Sequence, residues 1–355
     1  MIPYFILVII PIMIAILEMN KKSEKNKSIV LFFLIMFILL SLRNIKCGID
    51  LSNYNYFFKQ NSKMTFEELI RFYGINGEVL YHLLNKIISL VTNDFQIFLT
   101  IIAAICMIPI AILYKKESKN PILTIGLFLT VAPFSMFFSG LRQSIAMAIV
   151  IIAFKFIKEK KLVSYIIMIL IAFEFHQSAI IMLLLYPLYH AKITKKWLIA
   201  IVPLMTMIFI FKNQIFSAIV LLNSRYAERY NVITSTGAYS ILVLLILFDI
   251  YCFVFTDKDK ETKEFIGLRN FLLCATCIQF FASINTVAMR INYYILLFIP
   301  ILIPMVYNNS SIKYRQIVKL ATTVMCIFFI SYFFINAYTS SDILNIYPYI
   351  PYWEV

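Results

Sequence analysis

Of the chain's 355 residues, 62% are hydrophobic, only 14% are charged, and the formal net charge is +14. Soluble domains carry about 25% charged residues, so the composition excludes a soluble globular class and predicts a single integral membrane domain over residues 1–355. The surplus of positive charge does not imply nucleic acid as a partner, because the lysines lie in short loops between apolar runs, the pattern of the positive-inside rule.

A bilayer crossing needs roughly 20 apolar residues. Apolar runs occur at 2–18, 28–42, 94–114, 121–138, 141–157, 162–175, 177–190, 197–212, 239–256, 268–284, 291–307 and 317–336. They predict an all-α polytopic membrane protein with about 10–12 transmembrane helices. The first run has no basic n-region and no small-residue cleavage site, so it is expected to be a span and not a removable leader. No internal repeat, low-complexity tract or domain linker is visible.

Lysine clusters follow the first, third, fifth, seventh, ninth and eleventh runs, from Lys21–Lys27 to Lys313 and Lys319. All fall on one side, the cytoplasm, if both termini lie outside. That topology needs 162–190 to be a hairpin of two short passes turning at Phe175–His176, which places His176 near the outer surface. The arginines do the opposite. Six of the eight, Arg43, Arg71, Arg142, Arg225, Arg229 and Arg290, fall outside; Arg269 and Arg315 fall inside. Arginine presents a planar fork that grips phosphate bidentately, which lysine cannot. A set of outer arginines therefore predicts an anionic ligand there, against the plainer alternative of rim residues snorkelling from helix ends.

Two outer segments are long, 43–93 and 213–238, and the tail 337–355 is also expected outside. Within the first, Val79–Val91 is amphipathic and predicts a helix lying on or dipping into the interface. Within the second, Arg225 and Arg229 are four apart, so both lie on one helical face with Glu228 between them.

Ionisable residues inside apolar segments are costly and mark functional sites by default. Apart from the lysine-rich turn Lys155–Lys161, the stretch 138–178 carries three: Arg142 in Ser139-Gly140-Leu141-Arg142-Gln143-Ser144, then Glu174 and His176 in Phe173-Glu174-Phe175-His176-Gln177-Ser178-Ala179. The first motif resembles the Arg-Gln motif, and the second the His-x-Ser-Ala motif, of the EpsG/Wzy family of exopolysaccharide, capsule and O-antigen repeat-unit polymerases. Arg43 with Gly48, Asp50 and Tyr54, Glu78, the Arg225/Arg229 loop, Arg290-Ile291-Asn292-Tyr293 and the Pro351-Tyr352 tail are also similar to that family. The likeness runs from about residue 43 to the end.

The resemblance implies a GT-C-like polymerase bundle, a glycosyltransferase of the plasma (inner) membrane with its active site facing outside or the periplasm. The substrate it implies is an undecaprenyl-diphosphate-linked oligosaccharide. The glycan moves to an acceptor hydroxyl and undecaprenyl diphosphate leaves, with inversion expected. Membrane lipids, a chain-length-determining co-polymerase and a flippase are the implied partners. The residue chemistry agrees. Negative charge builds on the leaving diphosphate, and fixed cations stabilise it. Arg142 and Arg290 are expected in that role, with Arg225 and Arg229 as loop-borne clamps. A histidine can be neutral and ready as a base at physiological pH, so His176 is the first candidate and Glu174 the second. Asp50 or Glu78 could orient sugar hydroxyls or replace His176 as base. Arg43, Gln143, Tyr226, Tyr230 and Tyr293 complete the expected substrate contacts. Neither metal nor cofactor is expected. His82, His176 and His190 form no ligand pattern, and Cys274-x-x-Cys277, without a second pair, is expected to pack within a helix. His82 and His190 are expected to be structural.

Three other functions fit such a composition. A flippase for the same lipid-linked unit also needs cations for diphosphate, but transporter folds show repeats and midplane sites. A membrane acyltransferase of surface sugars places a histidine in the first span, and the first histidine here is His82. An O-antigen ligase performs a related transfer to another acceptor.

Overall fold

The structure is a computed structural model, and it describes residues 1–19, 26–74, 77–221, 239–339 and 344–354. Within a bilayer every backbone N–H and C=O must be satisfied inside its own segment, and each apolar run is accordingly helical. Among the described residues no β-strand forms. By length and composition, Phe95–Glu117, Lys263–Ala282 and Ile312–Thr339 are sufficient to cross a membrane. Two further pairs are bent at short breaks: Gln177–His190 with Lys195–Ile210 by 120°, and Ala288–Leu296 with Ile299–Asn309 by 47°. Five shorter apolar helices of 10–17 residues accompany them. The expected all-α polytopic fold is present, with spans more broken than the runs suggest. Proline accounts for one break: Pro300 sits in the first turn of its helix, where its missing N–H costs nothing.

The chain, expected as one integral domain, divides into two compact units, Met1–Leu183 with Thr323–Val355, and Leu184–Thr322. The first unit begins with α1 (Ile2–Met19) and α2 (Lys27–Leu42). Glu18 ties them, accepting from the Lys27 N–H at 2.8 Å and the Ser28 hydroxyl at 2.8 Å. Three short helices fill the expected outer segment: α3 (Leu51–Lys63), α4 (Phe66–Tyr73) and α5 (Val79–Ser89). A capping box fixes the start of α4, with Thr65 Oγ1 accepting from Glu68 N–H and Glu68 Oε2 from Thr65 N–H. The α5 helix forms where the amphipathic pattern places it, and buries Tyr81, His82, Asn85 and Ile88.

The long helix α6 (Phe95–Glu117) runs antiparallel to α2 and is pinned at both ends. Gln96 Nε2 donates to the Ser41 carbonyl at one end, and Asn26 Nδ2 to the Lys115 carbonyl at the other. Then follow α7 (Pro121–Thr130), the single turn α8 (Met136–Ser139), α9 (Leu141–Lys158) and α10 (Leu162–Phe173). The chain turns at Glu174–His176, as the lysine pattern requires, but the return is a 3₁₀ segment, Gln177–Leu184. Tyr165 donates to the Met182 carbonyl at 2.5 Å and closes this hairpin.

The second unit holds α11 (Leu185–His190), α12 (Leu198–Ile210), α13 (Lys212–Leu221), α14 (Tyr239–Val254), α15 (Lys263–Ala282), α16 (Thr286–Leu296) and α17 (Ile299–Asn309). The segment expected as a loop from 213 is helical to Leu221, and 222–238 lie outside the described residues. The centre of the unit is α15. Asn270 Nδ2 donates to the Leu188 and Ala191 carbonyls at 2.8 Å each, and Arg269, wholly buried, donates to Glu261 at 2.5 Å and to the Ile193 carbonyl at 2.9 Å. Cys274 and Cys277 also lie on this helix, half-buried, as packing residues.

The last helix, α18 (Arg315–Thr339), gives its later turns to the first unit, where Gly126 lets α7 approach Phe329 and Ile330 closely. The tail then returns to the end of α2. The Asn44 N–H donates to the Ile350 carbonyl at 2.8 Å and the Tyr352 N–H to the Leu42 carbonyl at 2.8 Å. Beneath it, Tyr4 stacks edge-on with Phe134, Phe333, Tyr347 and Tyr349.

Candidate functional site

Four segments of the first unit meet at the start of α9: residues 48–54, 77–82, 139–143 and 174–177. Two residues set the geometry. Gly77 and Glu78 both adopt left-handed backbone, φ +80° and +65°. Glycine does so without penalty, while a side chain there costs about 1 kcal/mol or more. Strain of this kind persists where surrounding contacts enforce it, often at functional sites. A Cβ on Gly77 would meet the Gln177 side-chain amide, so the absence of one also lets the 174–177 turn approach.

Glu78 is the N-cap of α5 but makes no capping bond to its own helix. Its carboxylate turns outward to three donors. Arg142 Nη1 donates to Oε2. On the other oxygen, Oε1, His176 Nδ1 lies at 2.9 Å and the Gln177 N–H at 3.2 Å. The side chains are 12% exposed for Glu78, 25% for His176 and 35% for Arg142, so the cluster is screened but reachable. Burial pushes the Glu78 carboxyl up. The His176 hydrogen bond, the Arg142 charge and the Gln177 N–H outweigh it and hold the group below the usual carboxylate range. An ionised carboxylate can only accept. The proton in the His176–Glu78 bond therefore resides on Nδ1, which in the neutral ring leaves the lone pair on Nε2.

Arg142 is held from several directions. The Tyr54 hydroxyl lies beside its side chain, and its guanidinium lies 6.0 Å from the centre of the Tyr81 ring. Tyr54 and Tyr81 themselves meet edge-on at 5.8 Å. Its Nε is buried without a hydrogen-bond partner, as are those of Arg43 and Arg269. One turn before Arg142, the Ser139 hydroxyl donates to Asp50 Oδ2 at 3.2 Å. The loop holding Asp50 comes close because Gly48, at φ +134°, has no Cβ to strike the Phe138 carbonyl.

The structure thus brings Asp50, Glu78, Arg142 and His176 into one cluster, and adds Tyr54, Tyr81 and Ser139, to which the sequence assigns no role. Tyr81 had a faint signal, one helical turn after Glu78. Other expected residues take other places in the fold. Arg43, expected at the substrate, is 1% exposed; its Nη1 donates to the Leu40 carbonyl at 2.6 Å and its charge lies 5.7 Å from the Phe138 ring. It is a buried pin at the end of α2. Gln143 is buried on the core side of α9, and Glu174 is the half-buried C-cap of α10. Arg290, exposed, and Tyr293 lie on α16 in the second unit. Arg225, Tyr226, Arg229 and Tyr230 lie outside the described residues.

His82 is part of the packing. Its ring stacks on Tyr73 at 3.4 Å and 5°, and Asn61 Nδ2 lies 2.9 Å from its Nδ1. Burial and the nearby Arg142 charge push it down to about 4, so it is neutral. His190 ends α11 against the Tyr186 and Tyr189 rings. Among the described residues no cluster of His, Cys, Asp and Glu could hold a metal ion.

A family model described as the EpsG family matches residues 26–352, nearly the whole chain. No curated protein and no solved structure matches it.

Proposed function

The chain belongs to the EpsG family of polysaccharide-polymerase-type membrane proteins, and from that premise we propose that it joins undecaprenyl-diphosphate-linked oligosaccharide units on the outer face of the plasma membrane. The observation that carries the reading is one carboxylate, Glu78, bonded at once to an arginine and a histidine. That arrangement supplies both groups the reaction needs.

His176 Nε2 takes the proton of the acceptor hydroxyl. The acceptor oxygen attacks the anomeric carbon of the donor, the bond to the diphosphate breaks, and the electron pair leaves with undecaprenyl diphosphate. Arg142, whose side chain is partly exposed, meets the charge on the departing phosphate. Glu78 fixes the histidine tautomer and stabilises the imidazolium that forms, and general-base catalysis of this sort contributes about 10²–10⁴-fold. Asp50, bonded to Ser139 beside the same cluster, suits sugar hydroxyls. Arg290 and the Arg225/Arg229 loop remain candidates for the second phosphate. Direct displacement gives inversion, and the chemistry uses no metal.

The test is a null strain complemented with Arg142→Ala, His176→Ala or Arg290→Ala at matched expression. Polymer is expected to disappear while single lipid-linked units accumulate outside. Accumulation of those units on the cytoplasmic side instead would refute the polymerase reading and favour a flippase.

A further inference from the structure

We propose that the lysine-rich end of the first unit carries a binding site for an anionic phospholipid, in a groove between α6 and α9 at the far end from Glu78. The helix α9 runs from Arg142 to Lys158, and at 1.5 Å per residue that separation is about 24 Å, close to the thickness of a bilayer's hydrocarbon core. The groove therefore opens toward the leaflet opposite the candidate catalytic cluster. It rests on the membrane character of the chain and not on the polymerase reading.

The groove has a volume of about 590 Å³, within the range of small-molecule sites. Its walls are apolar: Pro109, Ile112 and Leu113 from α6, Ile151 and Ile152 from α9. Ile112 and Ile152 are 63% and 37% exposed, so this wall faces the membrane and not the protein core. Its rim is charged. Lys116, Lys155 and Lys158 stand over it with Glu117 and Glu159. The carboxylates are already occupied. Glu117 is bonded by Lys158 at 2.9 Å and Glu159 by Lys161 at 2.7 Å. Among the described residues, Lys116 and Lys155 have no carboxylate in contact, yet both lie near enough to lower the Glu159 carboxyl. Two ammonium groups that touch no carboxylate among the described residues, above an apolar trough that opens to lipid, match a headgroup phosphate with acyl chains below it. Basic pockets between membrane helices bind anionic headgroups for this reason.

Lysines on this face also set topology, and a purely topological role requires no binding. The two are separated by measuring unfolding temperature of the full-length protein in detergent, titrated with phosphatidylglycerol, phosphatidylcholine or inorganic phosphate. Phosphatidylglycerol is expected to stabilise and the other two not. Lys116→Gln/Lys155→Gln is expected to weaken that stabilisation about tenfold or more in half-saturating lipid. Ile152→Trp, which fills the trough without touching charge, is expected to do the same. Lys192→Gln/Lys313→Gln removes equal charge from the second unit and is expected to leave it unchanged. The site is refuted if the control pair weakens binding as much as the groove pair, if phosphatidylcholine or phosphate stabilises equally, or if Ile152→Trp binds as the wild type does.

Discussion

Glu78→Gln isolates the feature on which the chemistry depends. Glutamine keeps the size of the side chain and one carbonyl oxygen, so the His176 Nδ1–H and the Gln177 N–H can retain an acceptor. Arg142, in contrast, loses its counter-charge and faces an amide. The effect on folding is modest: hydrogen bonds to charged groups are worth about 1.5–3 kcal/mol when buried, and Arg142 is 35% exposed, so about 1 kcal/mol is expected after screening. The effect on rate is larger. The imidazolium formed on His176 would sit against a neutral amide. Opposite charges about 4 Å apart at an effective dielectric near 20 attract by about 4 kcal/mol, which corresponds to roughly a thousandfold in rate. A loss of about 10²–10³-fold is expected, with Glu78→Ala no milder. The assay is conversion of purified lipid-linked units to polymer in vesicles, followed against pH, beside a thermal unfolding curve. A Glu78→Gln protein that polymerises within threefold of the wild type, with an unchanged pH profile, would refute the charge-stabilising role of Glu78.

Three further outcomes follow from other residues. Gly77→Ala should cost about 1–2 kcal/mol, because the left-handed backbone penalises any Cβ and the new methyl displaces the Gln177 amide; polymer yield should fall with it, and an Ala variant as active and stable as the wild type would sink the claim that this turn positions Glu78. His82, held at about 4 in the fold, must gain a proton on unfolding below its ordinary pKa of about 6.5. Its contribution is therefore present above about pH 6.5 and lost as pH falls toward 4, a loss on the order of 3 kcal/mol; His82→Phe, which can still stack on Tyr73, should flatten unfolding temperature across that window, and an unchanged slope would contradict neutrality. Glu78, held below the usual range, adds its own loss only at lower pH. Removing residues 344–355 unpairs the Leu42 carbonyl and the Asn44 N–H, and strips Tyr347 and Tyr349 from Tyr4; a fall of several degrees in unfolding temperature is expected, by fluorescence-detected size exclusion after heating, and no fall would mean that the tail's contacts add nothing.

How much of this was legible in the chain depends on which physical quantity carried it. The apolar runs specified a helical membrane protein because hydrocarbon admits little else for an isolated segment. Arg142 and His176 stood out because charge is expensive in apolar surroundings, and the lysine asymmetry placed the turn at His176 next to where the structure turns. Helix breaks were harder. Nothing in 177–190 announces a 3₁₀ segment, since its composition suits either helix.

What only the tertiary structure decided was pairing. Glu78 lies 64 residues from Arg142 and 98 from His176, and no periodicity links residues so far apart. Arg43 and Arg142 look alike in sequence, yet the returning tail, about 310 residues away, closes over one and leaves the other partly exposed. The reason is that lipid and protein core are both apolar. A leucine or isoleucine satisfies either, so hydropathy sets which segments enter the membrane but not which faces meet. That choice falls to packing, at positions such as Gly48, Gly77 and Gly126, where the lack of a side chain lets two segments touch, and it is packing that turns four scattered ionisable residues into one cluster.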